Sequence, residues 1–229
     1  VFWKGVVEEL LFFLRGQTDS KILEEKGVKI WKGHGSVDHL RSRGLDYEEG
    51  QLGPIYGYQW RQWGRPWGSE AGGIDQLGQV IRRLQTDPYD RRHLVSAWNV
   101  SQLDQMALPP CHVLYQFYVA ENKLSCQVYQ RSVDVGLGLP FNLASYVLLT
   151  HLVAQVTGYG VGHLIFDLGD THIYLNHQEA LKEQLTRAPY PWPTLQLNPE
   201  VKKIDQFKSE DIVLVGYQSH SIIKMDMSV

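Results

Sequence analysis

Cys111 sits in the run Leu108-Pro109-Pro110-Cys111-His112, and it is one of two cysteines in the chain. The prolines stiffen the approach, so whatever follows them has a defined position. A thiol so placed could act as a nucleophile. The thiolate is the reactive form, and a free Cys has a pKa of about 8.5, so activation would need positive charge close by. The run fits a small buried hydrophobe equally well. Cys126 alternates with Leu124 and Val128 on a strand-like segment and reads as core. The pair lacks the spacing of a metal site, and no metal is expected. Downstream, Gln130-Arg131-Ser132-Val133-Asp134 precedes a Gly-containing turn. The forked donor of Arg131 and the hydroxyl of Ser132 suit a phosphate, and a structural salt bridge fits as well. Arg91 and Arg92 follow Asp87-Pro88-Tyr89-Asp90, where two adjacent arginines read as a solvated pair. His172 and Tyr174 alternate in Gly169-Asp170-Thr171-His172-Ile173-Tyr174 and could both bond a sugar hydroxyl, or cap a core. These groups point toward phosphorylated small-molecule chemistry.

The elements that must position them alternate without a long linker. Val6, Val7, Leu10, Leu11 and Leu14 have helical spacing, with Gly16 as the stop. Thr18 or Asp19 would cap a short helix through Lys26. The stretch 31–73, rich in Gly, Trp, Tyr and Arg, reads as loop. Ile74, Leu77, Ile81 and Leu84 mark an amphipathic helix ended by Pro88. Segments 93–98, 113–119 and 124–130 read as strands, the last two joined by a turn at Glu121-Asn122. The stretch 143–156 is apolar nearly all round and predicts a central buried helix. Further strands are expected at 164–168 and 212–215, with a helix near 179–185 and an extended run at 189–193. No internal repeat, P-loop or dinucleotide fingerprint appears. The expectation is one α+β domain.

Composition narrows the classes. Seven Trp, twelve Tyr and seven Phe in 229 residues require a packed interior and exclude a disordered chain. A net charge of −3 provides no broad basic field for nucleic acid or an anionic membrane. Residues 135–166 carry no Asp, Glu, Lys or Arg, yet Pro140, Asn142, His151 and Gly158 interrupt them, so a core helix is expected and not a membrane span. The two cysteines fit a reducing, cytoplasmic setting. The first residue is Val1, so the chain is expected to begin partway into a longer protein.

Taken together, the segments resemble the thymidylate synthase family over essentially all of residues 1–229. The motifs are VEELLFFLRG from Val7, QLGPIYGYQW from Gln51, DRRHLVSAWN from Asp90 and MALPPCH from Met106. They continue with QFYV from Gln116, LSCQVYQRSVDVGLGLPFNLASY from Leu124 and GDTHIYLNH from Gly169. So many motifs in order are highly specific. The resemblance implies reductive methylation of dUMP to dTMP, with 5,10-methylenetetrahydrofolate as co-substrate. It makes Cys111 the nucleophile toward C6 of uracil and Arg131 the neighbour of both thiol and phosphate. Glu9, Tyr56 and His112 would form the proton-transfer surroundings. Gln130, Ser132, Asp134, Asn142, His172 and Tyr174 would join Arg131 around the nucleotide, with Asn142 reading the pyrimidine edge. The folate would lie against Ile30, Trp31, Leu137 and Phe141, with Asp134 bonding the pterin and Gly138 allowing close approach. The C-terminal run containing Lys224, Met227 and Val229 would close over the ligands. The family fold implies a large mixed β-sheet with surrounding helices and a sheet-to-sheet homodimer. Arg91 and Arg92 would then reach the neighbouring subunit's phosphate.

The family pattern also implies a segment ahead of Val1 whose arginine grips the phosphate and whose residues cover the helix 6–14. Departures from the pattern are Lys32 for a common acidic residue, Gln51 for Asp, Phe12 for Trp, and a stretch 217–221 without its usual prolines. Two other readings compete. A pyrimidine hydroxymethylase of the same fold would deliver the one-carbon unit to water, and a lapsed relative would bind nucleotide or RNA without turnover.

Overall fold

The computed structural model describes residues 1–70 and 72–227. Five helices come first: α1 (Trp3–Leu14), α2 (Lys21–Glu25), α3 (Val37–Ser42), α4 (Tyr56–Gln62) and α5 (Gln76–Thr86). Strands β1 (Leu94–Ser96), β2 (His112–Ala120) and β3 (Lys123–Asp134) follow, then α6 (Gly138–Thr157) and β4 (Gly160–His172). Helix α7 (Gln178–Leu185) and strands β5 (Thr194–Leu197) and β6 (Ile212–Val215) complete the order. The main sheet runs β1-β2-β3-β4, and β5-β6 form a separate ribbon. The expected large mixed sheet is thus four strands and a detached pair. β2 pairs antiparallel with β1 and β3, whereas β4 lies parallel to β3. A parallel neighbour needs a crossover, and α6 supplies it.

The β2–β3 turn confirms the hairpin. Glu121 and Asn122 have φ of 50° and 57°, the left-handed pair whose twist suits a two-residue connection. Helix α6 is long and apolar enough to cross a membrane by length and composition. Here it packs on β3, β4, α1 and α5, with Leu148, Leu149, Leu152 and Val153 fully buried, as expected of a core helix. It ends at Gly158, whose φ of 83° closes the last turn.

Three expectations need correction. Residues 31–73 are not all loop, because they contain α3 and α4. Ser36 caps α3 by accepting the His39 backbone N–H at 3.3 Å. No side chain caps α4, and its Tyr, Trp and Gly residues have modest helix propensity. Packing on α1 makes it helical: a Cβ at Gly57 would lie 2.5 Å from the Phe13 carbonyl oxygen, so only glycine admits that approach. Secondly, α2 begins after Ser20 with no side-chain cap, and Asp19 instead accepts the Lys21 backbone N–H at 2.9 Å. Thirdly, α1 is not left uncovered. Val6, Val7, Leu10, Leu11, Phe12, Phe13 and Leu14 are each 3% exposed or less, packed against α4 and α6.

Among the described residues, only one face of the main sheet is covered. Tyr115, Phe117, Cys126 and Val128 point into the core beneath α6. The alternate residues Leu94, Tyr118, Tyr129 and Ile165 lie exposed on the other face.

Candidate active site

A cavity of about 520 Å³ opens where β3 and β4 end and α6 begins, the end of parallel strands at which ligands commonly bind. Cys111 enters it one residue before β2, tied to β3 by the Arg131 backbone N–H donating to the Cys111 carbonyl at 2.8 Å. The Arg131 side chain is locked in place. It donates to the carbonyls of Pro110 at 2.8 Å and Pro109 at 3.1 Å, and its guanidinium lies 5.3 Å from the Trp98 ring centre. The two prolines therefore deliver the thiol and also anchor the arginine beside it.

Electrostatics at Cys111 run in both directions. Burial pushes its thiol up, while Arg131 and the Tyr56 hydroxyl pull it down without offsetting the burial. Tyr56 accepts the Cys111 backbone N–H at 2.7 Å. Its ring stacks on His112 with centroids 4.2 Å apart. Desolvation lowers His112 to about 3, so the imidazole is neutral. Glu9, on α1, accepts the Trp31 indole N–H at 2.7 Å. Desolvation nevertheless raises its carboxyl to about 7. A carboxyl poised there can both hold and release a proton near neutrality.

Deeper in, polar groups form a chain. Gln130 donates to Asn142 Oδ1 at 3.0 Å. Asn142 Nδ2 lies 3.5 Å from His112 Nε2, and His112 Nδ1 is 2.9 Å from the Tyr146 hydroxyl. The amide of Asn142 is thus oriented, with an oxygen lone pair still available. At the rim, His172 Nδ1 bonds Asp170 at 2.9 Å and its ring meets Tyr174 edge-on at 5.0 Å. Ile30, Trp31, Leu137 and Phe141 provide an apolar wall opposite. Asp134 faces the cavity, but its carboxylate accepts the backbone N–H groups of Gly136, Leu137 and Gly138 at 3.0, 3.3 and 3.3 Å. It therefore stabilises the start of α6 as well as lining the site.

The family model for thymidylate synthase matches residues 1–229. The chain belongs to the thymidylate synthase family. It is 55% identical over 237 residues to a thymidylate synthase of Herpesvirus ateles, covering 100% of this chain and 81% of that one. The thymidylate synthase of Homo sapiens is 54% identical over 235 residues, covering 100% and 75% respectively. A bifunctional dihydrofolate reductase-thymidylate synthase of Zea mays is 52% identical over 235 residues, with all of this chain covered and 45% of the relative.

The residues named through the thymidylate synthase motifs are brought together with few exceptions. Glu9, Tyr56, Cys111, His112, Arg131 and Asn142 share the cavity with Gln130, Ser132, His172 and Tyr174, and Gly138 and Met227 also line it. Arg91, Arg92 and Lys224 do not. Arg92 is exposed and paired with Asp90 at 3.1 Å. Val229 falls outside the described residues. Lys32, the charge reversal noted in the thymidylate synthase pattern, is exposed and lies 3.8 Å from Glu24. Sequence reasoning missed His34, His39 and Leu108, which also line the cavity. The two imidazoles meet edge-on at 5.0 Å, and desolvation with His39 nearby lowers His34 to about 4. No local motif marks them. Cys126 is buried as expected, its thiol pushed up to about 12 by burial. Among the described residues, no group of three or more His, Cys, Asp or Glu is arranged to hold a metal ion.

Proposed function

We propose that this chain converts dUMP to dTMP by reductive methylation, taking both the carbon and the hydride from 5,10-methylenetetrahydrofolate and releasing dihydrofolate. The observation that carries the reading is the convergence of Cys111, Arg131 and Asn142 on one cavity. Cys111 Sγ adds to C6 of uracil, and the electron pair of the C5–C6 bond moves to C5 and O4. The nucleophile divides a difficult substitution into easier steps. Addition makes C5 carbanion-like and able to accept the one-carbon unit. Loss of the C5 proton expels tetrahydrofolate from the one-carbon unit and leaves an exocyclic methylene at C5. Hydride transfer from that tetrahydrofolate to the methylene, with re-expulsion of the thiolate from C6, gives the methyl group of dTMP and dihydrofolate. Arg131 favours the thiolate by its charge and offers donors to the phosphate together with Ser132.

Asn142 reads the base. Its oxygen accepts the uracil N3–H and its NH₂ donates to O4, with Gln130 holding the amide in that orientation. His172 and Tyr174 take the ribose hydroxyl. Glu9 handles the proton traffic, helped by Tyr56 and neutral His112. The apolar wall of Ile30, Trp31, Leu137 and Phe141 suits a flat heterocycle, with Gly138 allowing close approach and Asp134 offering an acceptor to the pterin. Met227 and Lys224 belong to the segment that covers the ligands.

The uncovered sheet face supports a homodimer. Leu94, Tyr118, Tyr129 and Ile165 are 40%, 67%, 43% and 48% exposed. These large apolar side chains are interspersed with Gln116, Gln127 and Asp167 on one face, a mixed apolar and polar surface of the kind found at interfaces. Gln116, on that face, donates to the Arg91 carbonyl at 3.2 Å, so Arg91 and Arg92 sit at its edge. Docking two such faces would carry those arginines toward the partner's phosphate site. Two free cysteines support a reducing, cytoplasmic setting.

The deciding assay follows dihydrofolate formation spectroscopically with both substrates and identifies the nucleotide product. dTMP with equimolar dihydrofolate is expected. A hydroxymethylated nucleotide with tetrahydrofolate, or nucleotide binding without turnover, would overturn the assignment.

A further inference from the structure

His177 lies in the 3-10 turn after β4 (Leu175–His177), fully buried and outside the cavity lining. It touches three parts of the site at once. Its Nε2 is 2.7 Å from the Asp226 carbonyl oxygen. A carbonyl can only accept, so Nε2 carries the hydrogen and the imidazole is tied to the C-terminal segment. Its Nδ1 has no hydrogen-bond partner and points at Asp134 Oδ1, 3.7 Å away. Its ring packs edge-on against Tyr174 at 5.5 Å.

Space around the imidazole is tight. A Cβ placed on Gly136 would come 2.8 Å from His177 Nδ1 and 3.3 Å from the Met225 sulfur. Gly136 is not among the glycines with left-handed backbone. Its lack of a side chain therefore serves packing: it lets the ring and the tail nestle against the loop leading into α6. Asp134 holds that loop through three amides, and Met227 extends from the same tail into the cavity.

We propose that His177 is a positioning residue that latches residues 225–227 against the loop before α6, so that Met227 closes the co-substrate side of the cavity. This rests on the reading above, in which the apolar wall takes the folate and the Arg131–Asn142 side takes the nucleotide. The latch acts on one of the two ligands. His177 meets the ribose side through its edge-on contact with Tyr174, a contact another aromatic ring can preserve, whereas its link to the tail needs an N–H donor at the position of Nε2.

The test compares the full-length protein with His177→Phe, His177→Gln and Gly136→Ala. Phe keeps a ring but donates nothing, Gln returns an N–H near the Nε2 position, and Ala at 136 pushes the ring away without altering it. KM for methylenetetrahydrofolate should rise about three- to tenfold in His177→Phe, the change expected for one neutral hydrogen bond. The dUMP dissociation constant should stay within about twofold, Gly136→Ala should follow His177→Phe, and His177→Gln should recover part of the loss. Carboxypeptidase trimming of the tail should quicken in His177→Phe, a readout that needs no turnover. Equal losses for both ligands, or unchanged folate KM and unchanged trimming, would refute the latch. A wild-type protein that makes no dihydrofolate would refute the proposed reaction instead, and trimming would still decide the latch.

Discussion

Trp31 donates its indole N–H to the carboxyl of Glu9 at 2.7 Å, joining the apolar wall of the cavity to its proton-carrying group. That bond favours the carboxylate, while desolvation opposes it and wins, leaving Glu9 at about 7. A side chain from the folate wall therefore tunes the group assigned to proton transfer.

The raised pKa has a consequence for stability. In the unfolded chain Glu9 ionises near the ordinary value of about 4.3. Between that pH and about 7 the folded state holds the extra proton, so stability falls as pH rises through the window. Glu9→Gln removes the penalty. It should be more stable than wild type at pH 8, by on the order of 3–4 kcal/mol, with the gap nearly closed at pH 4. Trp31→Phe should push the carboxyl higher still. Urea denaturation at the two pH values checks the first expectation. A constant difference across that range would show that Glu9 titrates normally. Turnover of Glu9→Gln should nevertheless be severely reduced, since the amide cannot exchange a proton.

The two thiols should behave very differently. Cys111 opens on the cavity beside Arg131, whereas Cys126 is wholly buried with its thiol near 12. Iodoacetamide at pH 8 should label Cys111 in the native protein and leave Cys126 untouched until unfolding. Cys111→Ser should fold and still bind dUMP, with turnover down on the order of 10³-fold or more, as for other lost nucleophiles. Near-normal turnover in that variant would remove Cys111 from the mechanism.

Much of this site was legible in the sequence because its motifs lie at element ends. The prolines before Cys111 were legible as the stiff approach to a strand and the run 130–134 as the segment after one, although β3 continues through Asp134 where alternation ends the strand at 130. What stayed hidden depends on tertiary contact. Helix α4 has neither cap nor strong helix formers, and forms because Gly57 lets it approach α1. His34 and His39 enter the cavity through the turn around α3, which no periodicity marks. The elevation of the Cys111 thiol is likewise a matter of burial. Sequence showed the arginine that lowers it but not the walls that raise it.

Base discrimination should reside in Asn142. Its Oδ1 takes a hydrogen bond from Gln130 at 3.0 Å and keeps a lone pair for the ligand. Cytosine offers an acceptor at N3 and a donor at the 4-position, which would leave buried groups unpaired at a cost of about 1–3 kcal/mol. Asn142→Asp keeps the acceptor toward Gln130 and reverses the preference toward the exocyclic group. The ratio of kcat/KM for dUMP over dCMP should fall roughly ten- to a hundredfold. An unchanged ratio would place base recognition elsewhere.

Shared sites can be tested by mixing inactive subunits. Arg91 and Arg92 are absent from the cavity of their own chain, and Arg91 is held at the margin of the bare sheet face by Gln116. If they complete the partner's phosphate site, the double variant Arg91→Ala/Arg92→Ala should bind dUMP weakly, with KM raised about tenfold or more for each lost charge-assisted contact. Cys111→Ser should bind but not turn over. After verified subunit exchange, a heterodimer of the two has one site with both Cys111 and the partner's arginines. Activity should then rise toward half of wild type per heterodimer. Ile165→Glu places a charge on the exposed sheet face at the edge strand β4, where Ile165 is 48% exposed, and should shift sedimentation toward monomer and abolish recovery. Mixed subunits that exchange but regain nothing would show that each chain's phosphate site is complete on its own.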